Sequence, residues 1–308
     1  MSPPTQQEDA AVYRDKILDE IGYALGTGRS GVIRRLLGLL FRRPAARFGL
    51  IAAHADAESE FSGISGGARR VLPDLLLTVS ARGTELIPPD GPLLIVSNHP
   101  GALDSLALLS CIPRKDTKVL ISDVAFTRSF SAARRYFIYV PPEAGGRTAA
   151  LRASIEHLQK GGSLLVFAYG DVEPDPEVSP GARDSIQRWP RSVAIMLRSA
   201  PESWLQAAIV SGVLDRRFFR NPIVKIRRSP VRQQKLAEVL QLSRQMIFGR
   251  SVHTHVHVSF AKPVKATNLL REQAMTGVIG IACRLLEDHL LSWRIQPPCS
   301  RPAHKAKR

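Results

Sequence analysis

A histidine and an aspartate stand five positions apart in Ser97-Asn98-His99-Pro100-Gly101-Ala102-Leu103-Asp104. If the chain folds back between them, one imidazole nitrogen of His99 can bond the Asp104 carboxylate while the other faces a cleft. An imidazole held in this way is oriented to take a proton from a hydroxyl. Such pairs also arise by chance, so the elements around them decide. The apolar run from Pro92 to Val96 reads as a buried strand, and Pro100-Gly101 punctuates a sharp turn. From Ala102 to Ile112 the apolar residues take helical spacing. His99 therefore falls at a strand-to-helix turn. Asp104 falls in the first helical turn, where a carboxylate suits the helix dipole.

Other chemistry-bearing residues carry weaker signals. His253, His255 and His257 alternate, so on a strand they share one face. Three such histidines could hold zinc; an exposed sheet face explains them without a metal, and no metal is expected. Cys111, Cys283 and Cys299 are scattered, with no disulfide framework and no CxxC pair, which fits a reducing cytoplasm. Gly145-Gly146 and Gly161-Gly162 lack the spacing of a phosphate cradle. The acidic run Asp171-Val172-Glu173-Pro174-Asp175-Pro176-Glu177 lacks calcium-loop spacing. It reads either as a solvated, proline-braced loop or as a surface for a polyol or amine headgroup.

The chain has 308 residues, 44% of them hydrophobic, and a formal charge of +16 with a pI near 10.5. That charge points to anionic partners: membrane lipids, CoA phosphates, acidic carrier proteins or nucleic acid. The Val32–Arg43 segment is basic and amphipathic and contains no acidic residue. It fits a helix lying in a membrane interface, Leu and Phe down and Arg toward phosphates, or an ordinary helix with its arginines in water. A second basic cluster holds Arg216, Arg217, Arg220, Lys225, Arg227, Arg228 and Arg232 around Phe218 and Phe219. Membrane, RNA and plain solvent are all compatible with it. No nucleic-acid motif appears and aromatics are only 6%, so no nucleic-acid partner is expected. No apolar run approaches the roughly 18–20 residues that span a bilayer, and no signal-peptide core opens the chain.

Taken in order, helical periodicity covers Ala10–Leu25, and Pro44 is expected to stop the next helix. A further helix is expected from Phe48 to Phe61, before a loop at Gly63–Gly67. Strands follow at 118–122, 136–140, 163–168, 207–213 and 252–260. Helices are expected at 126–136, 148–160 and 268–293, with a loop at 141–147. This alternation predicts an α/β fold: a mixed, largely parallel sheet with helices on both faces, plus an N-terminal helical extension. The organisation expected is a helical, membrane-associating region over 1–70, the α/β domain over 71–296 and a basic tail over 297–308.

The Asn98-His99-…-Asp104 stretch, its preceding strand and the small residues within it resemble the His-x4-Asp motif of the glycerolipid acyltransferase superfamily, which includes the lysophosphatidate acyltransferases. Upstream, Gly83-Thr84-Glu85-Leu86-Ile87-Pro88 is similar to that family's lead-in, and the resemblance runs from about Leu75 to Val264. Later blocks depart from the pattern. Phe137-Ile138 matches the second block's strand, but Val140 or a neighbour stands in the expected Arg column, and Arg147 is the nearest substitute. The third block, usually Phe-Pro-Glu-Gly-Thr-Arg, here reads Phe167-Ala168-Tyr169-Gly170-Asp171-Val172. The fourth lacks its usual Pro in Ala207–Gly212.

The resemblance implies an O-acyltransferase over 71–296. His99 would be the general base, oriented by Asp104, and Arg147, Tyr169 and Gly170 would bind substrate. The acyl donor would be acyl-CoA or an acyl carrier protein and the acceptor a lipid hydroxyl, with attack in one step and no acyl-enzyme. No cofactor or metal is implied. A peripheral place at the inner, cytoplasmic face of a membrane follows from the same resemblance. Val172, where the family has a phosphate-binding Arg, leaves two readings. Either Arg147 or another Arg takes over, or the acceptor is not a lysophosphatidate. A further reading is a lipid- or acyl-binding protein of the same fold that has lost turnover.

Overall fold

The computed structural model describes residues 6–24, 31–179, 181–248, 254–270 and 274–295. Among them eight strands form one sheet: β1 (Leu77–Arg82), β2 (Leu93–Ser97), β3 (Lys118–Ser122), β4 (Phe137–Val140), β5 (Ser163–Phe167), β6 (Trp204–Ser211), β7 (Thr254–Phe260) and β8 (Val264–Lys265). The order is β1-β7-β6-β2-β5-β3-β4, with β8 added beside β6. Strands β6, β2, β5, β3 and β4 are mutually parallel; β7 and β8 run antiparallel to β6. The fold is thus α/β, with a mixed, mostly parallel sheet and N-terminal helices.

Helices cover both faces, which is why the central strands are apolar on consecutive residues. The helices are α1 (Gln6–Ala24), α2 (Gly31–Val71), α3 (Ala102–Ser110), α4 (Ala125–Arg128), α5 (Ala144–Gln159), α6 (Ala182–Gln187), α7 (Ser192–Ser199), α8 (Arg216–Phe219), α9 (Pro222–Lys225), α10 (Pro230–Phe248), α11 (Ala266–Leu270) and α12 (Ala274–Ile295). Leu93 and Ile95 of β2 pack with Val71, Leu103 and Leu108 on one face. Leu94 and Val96 pack with Leu158, Leu197 and Val278 on the other. This period of two puts β2, and the turn that follows it, in the middle of the molecule.

Several elements differ from expectation. Pro44 does not stop a helix: α2 carries it inside, buried, and the helix departs from helical geometry only at Gly63 (φ 72°, ψ 175°). A Cβ at Gly63 would stand 2.9 Å from the Lys115 carbonyl oxygen, so both the backbone angle and the space require glycine there. Phe41 is 7% exposed, whereas Leu39 is 73% exposed with Arg42 and Arg43 beside it, so of the two readings of this segment Phe41 follows the packed helix and Leu39 does not. The expected helix over 126–136 is one turn, α4, followed by a 3-10 turn over Ala133–Tyr136. The cause is Asp56 of α2. Its buried carboxylate accepts the amides of Ser131 (2.9 Å), Ala132 (3.0 Å) and Ala133 (2.7 Å), and also the Tyr13 hydroxyl (2.9 Å). Those amides are thereby taken from a helix. The 141–147 loop is shorter than expected because α5 starts at Ala144. The C-terminal helix is α11 and α12, with 271–273 outside the described residues. The basic tail over 297–308 and His253 also lie outside them. Among the described residues no helix is long and apolar enough to cross a membrane.

Helix α10 has a weak apolar signature because its buried face mixes Ala237 and Met246 with a polar stripe. Gln234, Glu238, Gln241 and Gln245 recur at spacings of four, three and four and are at most 9% exposed. Gln241 Nε2 donates to the Val213 carbonyl (2.9 Å) and its Oε1 accepts from the Asp215 amide (2.8 Å); Gln245 Nε2 donates to Thr254 Oγ1 (2.9 Å). Gln234 and Glu238 reach the turn after β2.

Candidate active site

The site starts where β2 stops. Asn98 is buried, and its side chain continues the ladder to β6: Nδ2 donates to the Val210 carbonyl (2.9 Å) and Oδ1 accepts from the Val210 amide (2.8 Å). His99 is then the first residue free to leave the sheet. Its backbone is clamped by Glu173, whose carboxylate accepts the His99 amide (2.9 Å) and whose amide donates to the His99 carbonyl (2.7 Å). Gln234 Nε2 donates to the carbonyls of Pro100 (2.5 Å) and Glu173 (2.6 Å). The Gly101 amide donates to Asp104 Oδ2 (3.1 Å), and the Ala102 amide to Glu238 Oε1 (2.5 Å). Glu238 so caps the start of α3 from another helix. Every amide of the turn from His99 to Ala102 is held by a buried carboxylate, Pro100 having none to give.

The side chains meet as the spacing suggested. His99 Nδ1 lies 2.8 Å from Asp104 Oδ2 and 3.1 Å from Oδ1; Asp104 is fully buried, and the His99 side chain is 27% exposed. The Phe167 ring leans on the imidazole at 4.5 Å. An acceptor carboxylate at Nδ1 places the proton on that nitrogen and leaves the Nε2 lone pair free. Nε2 has no hydrogen-bond partner among the described residues, and it lies on the ring edge away from buried Asp104.

Burial pulls the His99 pKa down, but Asp104, by charge and by hydrogen bond, with Glu238 and Glu173 behind it, outweighs burial and leaves it above the ordinary histidine value. Burial pushes Glu173 up to about 7, against hydrogen bonds from Trp189 and the His99 amide. Burial likewise pushes Glu238 up to about 7, against the Ala102 amide. The imidazole therefore stands among three buried carboxyl groups, two of which change charge near neutrality.

Of the remaining expected site residues, Tyr169 and Gly170 lie in the turn after β5, next to the end of β2, and Arg147 lies farther off, after β4. Strand β5 pairs with β2, and the Ala168 amide donates to the Ser97 carbonyl (3.1 Å), so the turn after β5 flanks His99. Gly170 makes that turn with φ 81° and is exposed; Tyr169 is half-buried, under the Arg188 guanidinium at 5.8 Å. Arg147 sits in the first turn of α5, after β4, three strands from β2. That is about 14 Å at the usual strand spacing. Its exposed guanidinium folds onto the Pro142 carbonyl (2.8 and 3.3 Å).

The acidic run is neither a solvated loop nor a headgroup surface at its centre, since Glu173 is 1% and Asp175 0% exposed. Asp175 accepts the amides of Glu177 (3.0 Å), Gly212 (3.1 Å), Val213 (2.9 Å) and Leu214 (3.1 Å), fixing the loop after β6. Acids alternating with prolines are short, rigid arms that can reach backbone amides, but the sequence does not show which amides they reach. His255 and His257 share a sheet face. His255 bonds Ser80 (2.7 Å); His257 bonds Glu177 (2.7 Å) and stacks on Trp293 at 4.2 Å. Among the described residues no three His, Cys, Asp or Glu side chains converge as metal ligands.

No protein-family model and no curated protein matches this chain. Among solved structures the chain is similar to the 1-acyl-sn-glycerophosphate (LPA) acyltransferase PlsC from Thermotoga maritima. The two are 15% identical, with a TM-score of 0.47, over 94% of this chain and 96% of that one.

Proposed function

We propose that the chain is an O-acyltransferase that moves an acyl group from a thioester, acyl-CoA or an acyl carrier protein, to a hydroxyl of a glycerolipid-type acceptor. The observation that carries this reading is the His99 ring: Nδ1 fixed by buried Asp104, Nε2 unpartnered among the described residues, and the side chain partly open. The acceptor hydroxyl donates to Nε2. As its oxygen attacks the thioester carbonyl, the proton passes to Nε2, and Asp104 stabilises the imidazolium. The tetrahedral oxyanion collapses, the carbon–sulfur bond breaks, and the leaving thiolate takes the proton from Nε2. An ester and a free thiol result, and His99 is restored without an acyl-enzyme.

Tyr169 and Gly170, in the turn after β5, are assigned to the acceptor side. Arg147 is assigned no direct contact, because it follows β4, three strands from β2, and its guanidinium is held on the Pro142 carbonyl. A second reading, a lipid- or acyl-binding protein without turnover, is favoured by Val172 at the family's phosphate-binding Arg position. One assay separates the two. The purified chain is given acyl-CoA or acyl carrier protein and a panel of lysophospholipid and glycerol acceptors, and product ester and free thiol are measured together. Equal ester and thiol release supports transfer. Donor or lipid binding without either product, or thiol release without ester, overturns it.

A further inference from the structure

We infer that α8 and α9, with the turn into α10, form a docking surface for an anionic lipid bilayer. It is separate from the N-terminal helices and independent of any catalytic role for His99. Between Asp215 and Glu238 the chain carries eight Arg and Lys and no Asp or Glu. Arg217, Arg220, Arg228 and Arg232 are exposed and form no ion pair among the described residues. Within this field two large apolar side chains stand out from the fold: Ile223 is 58% and Ile226 77% exposed. Neighbouring Val224, by contrast, is fully buried and packs with Leu214 and Ala237. The segment is therefore anchored by Val224, with Phe218 and Phe219 packed beside it, and turns Ile223 and Ile226 outward.

Its shape is fixed by local caps. Asp215 accepts the Arg217 amide (2.8 Å), and Asn221 accepts the Ile223 amide (3.0 Å). Lys225 lies 4.1 Å over the Phe219 ring. The isoleucines are thus presented on a held frame, at low ordering cost. Isoleucines ringed by guanidiniums suit a bilayer interface: apolar tips enter the acyl boundary while the cations meet lipid phosphates. An RNA partner would find charge here but no exposed ring to stack on, since Phe218 and Phe219 are half-buried.

The surface also has a place in the fold. It follows β6 at the end of the sheet where β2 leads into the His99 turn. The first turns of α10 then bring Gln234 to the Pro100 carbonyl and Lys235 to Asp171 (2.9 Å). Helix α10 thus joins the basic surface to the turn that carries His99.

The test is co-sedimentation of the full chain with vesicles of phosphatidylcholine containing about 30% phosphatidylglycerol, and with phosphatidylcholine alone, over a salt series. An Ile223→Asn/Ile226→Asn variant replaces side chains that touch little in the fold, and circular dichroism melts confirm that it folds. Expected are preference for the anionic vesicles, weakening with salt, and at least about tenfold weaker binding by the double variant. An Arg217→Gln/Arg220→Gln/Arg228→Gln variant should flatten the salt dependence. Unchanged vesicle binding by the isoleucine variant overturns the inference. So does equal binding to neutral vesicles, or binding to a single-stranded RNA with none to either vesicle.

Discussion

Glu238 gives the account a sharp test, because it is buried, caps α3 and adds negative charge behind His99. Glu238→Gln keeps the shape and an oxygen for the Ala102 amide but cannot ionise. In the folded chain burial pushes Glu238 from 4.5 up to about 7. The folded state therefore holds this proton over a pH range in which the unfolded chain has lost it. The sign follows: the wild-type protein loses stability as pH rises from about 4.5 to about 7, and the Gln variant is spared that loss. At about 1.4 kcal/mol per pH unit, the difference grows to roughly 3 kcal/mol. Urea melts of both proteins from pH 5 to pH 8 measure it. The variant's advantage should rise with pH and level off above about 7, on top of a pH-independent offset from the new amide. The same substitution removes a charge that raises the His99 pKa, so the alkaline-rising limb of the rate profile should move to lower pH. Stability curves that stay parallel across the range, with an unmoved rate limb, would refute the idea that Glu238 acts electrostatically on this site.

Further outcomes follow from the same geometry. Asp104→Asn keeps the volume but loses the charge that stabilises the imidazolium; transfer should fall by roughly 10²-fold or more while acyl-donor binding, read by calorimetry, persists. Lys235→Ala should raise the acceptor KM more than Arg147→Ala, since Lys235 bonds Asp171 beside Gly170 and Arg147 sits on Pro142; the reverse order would return Arg147 to the site. Asp56→Ala strands three amides and the Tyr13 hydroxyl and should cost about 3–5 kcal/mol in urea unfolding, with no change in the pH of the rate limb.

What the sequence showed and hid divides along a physical line. Strand β2, the turn and α3 were legible because they are governed locally, by an apolar run, by Pro100-Gly101 and by helical spacing. The His99–Asp104 contact is local as well, lying within one turn. Strand β3 was placed at its observed bounds for the same reason. The elements that were hidden answer to distant partners. Asp56 ends the helix expected over 126–136 from across the fold. Helix α10 buries three glutamines and a glutamate beside Ala237 and Met246, which blurs its apolar periodicity, although a polar stripe at helical spacing was there to read. Glu173 looked like part of a solvated loop because nothing near it in sequence shows that its partners are the His99 amide and Trp189. These distant groups hold the catalytic candidate in place.

The central claim is that His99 takes the proton from the acceptor hydroxyl. It is tested most directly by the transfer rate of purified, folded His99→Ala protein, at saturating donor and acceptor, against wild type. The account predicts a loss of roughly 10²–10⁴-fold with donor binding retained. In the wild-type protein it predicts a rate that climbs with pH through a limb above the ordinary histidine value of about 6.5. A folded His99→Ala protein that transfers acyl groups at the wild-type rate would contradict it.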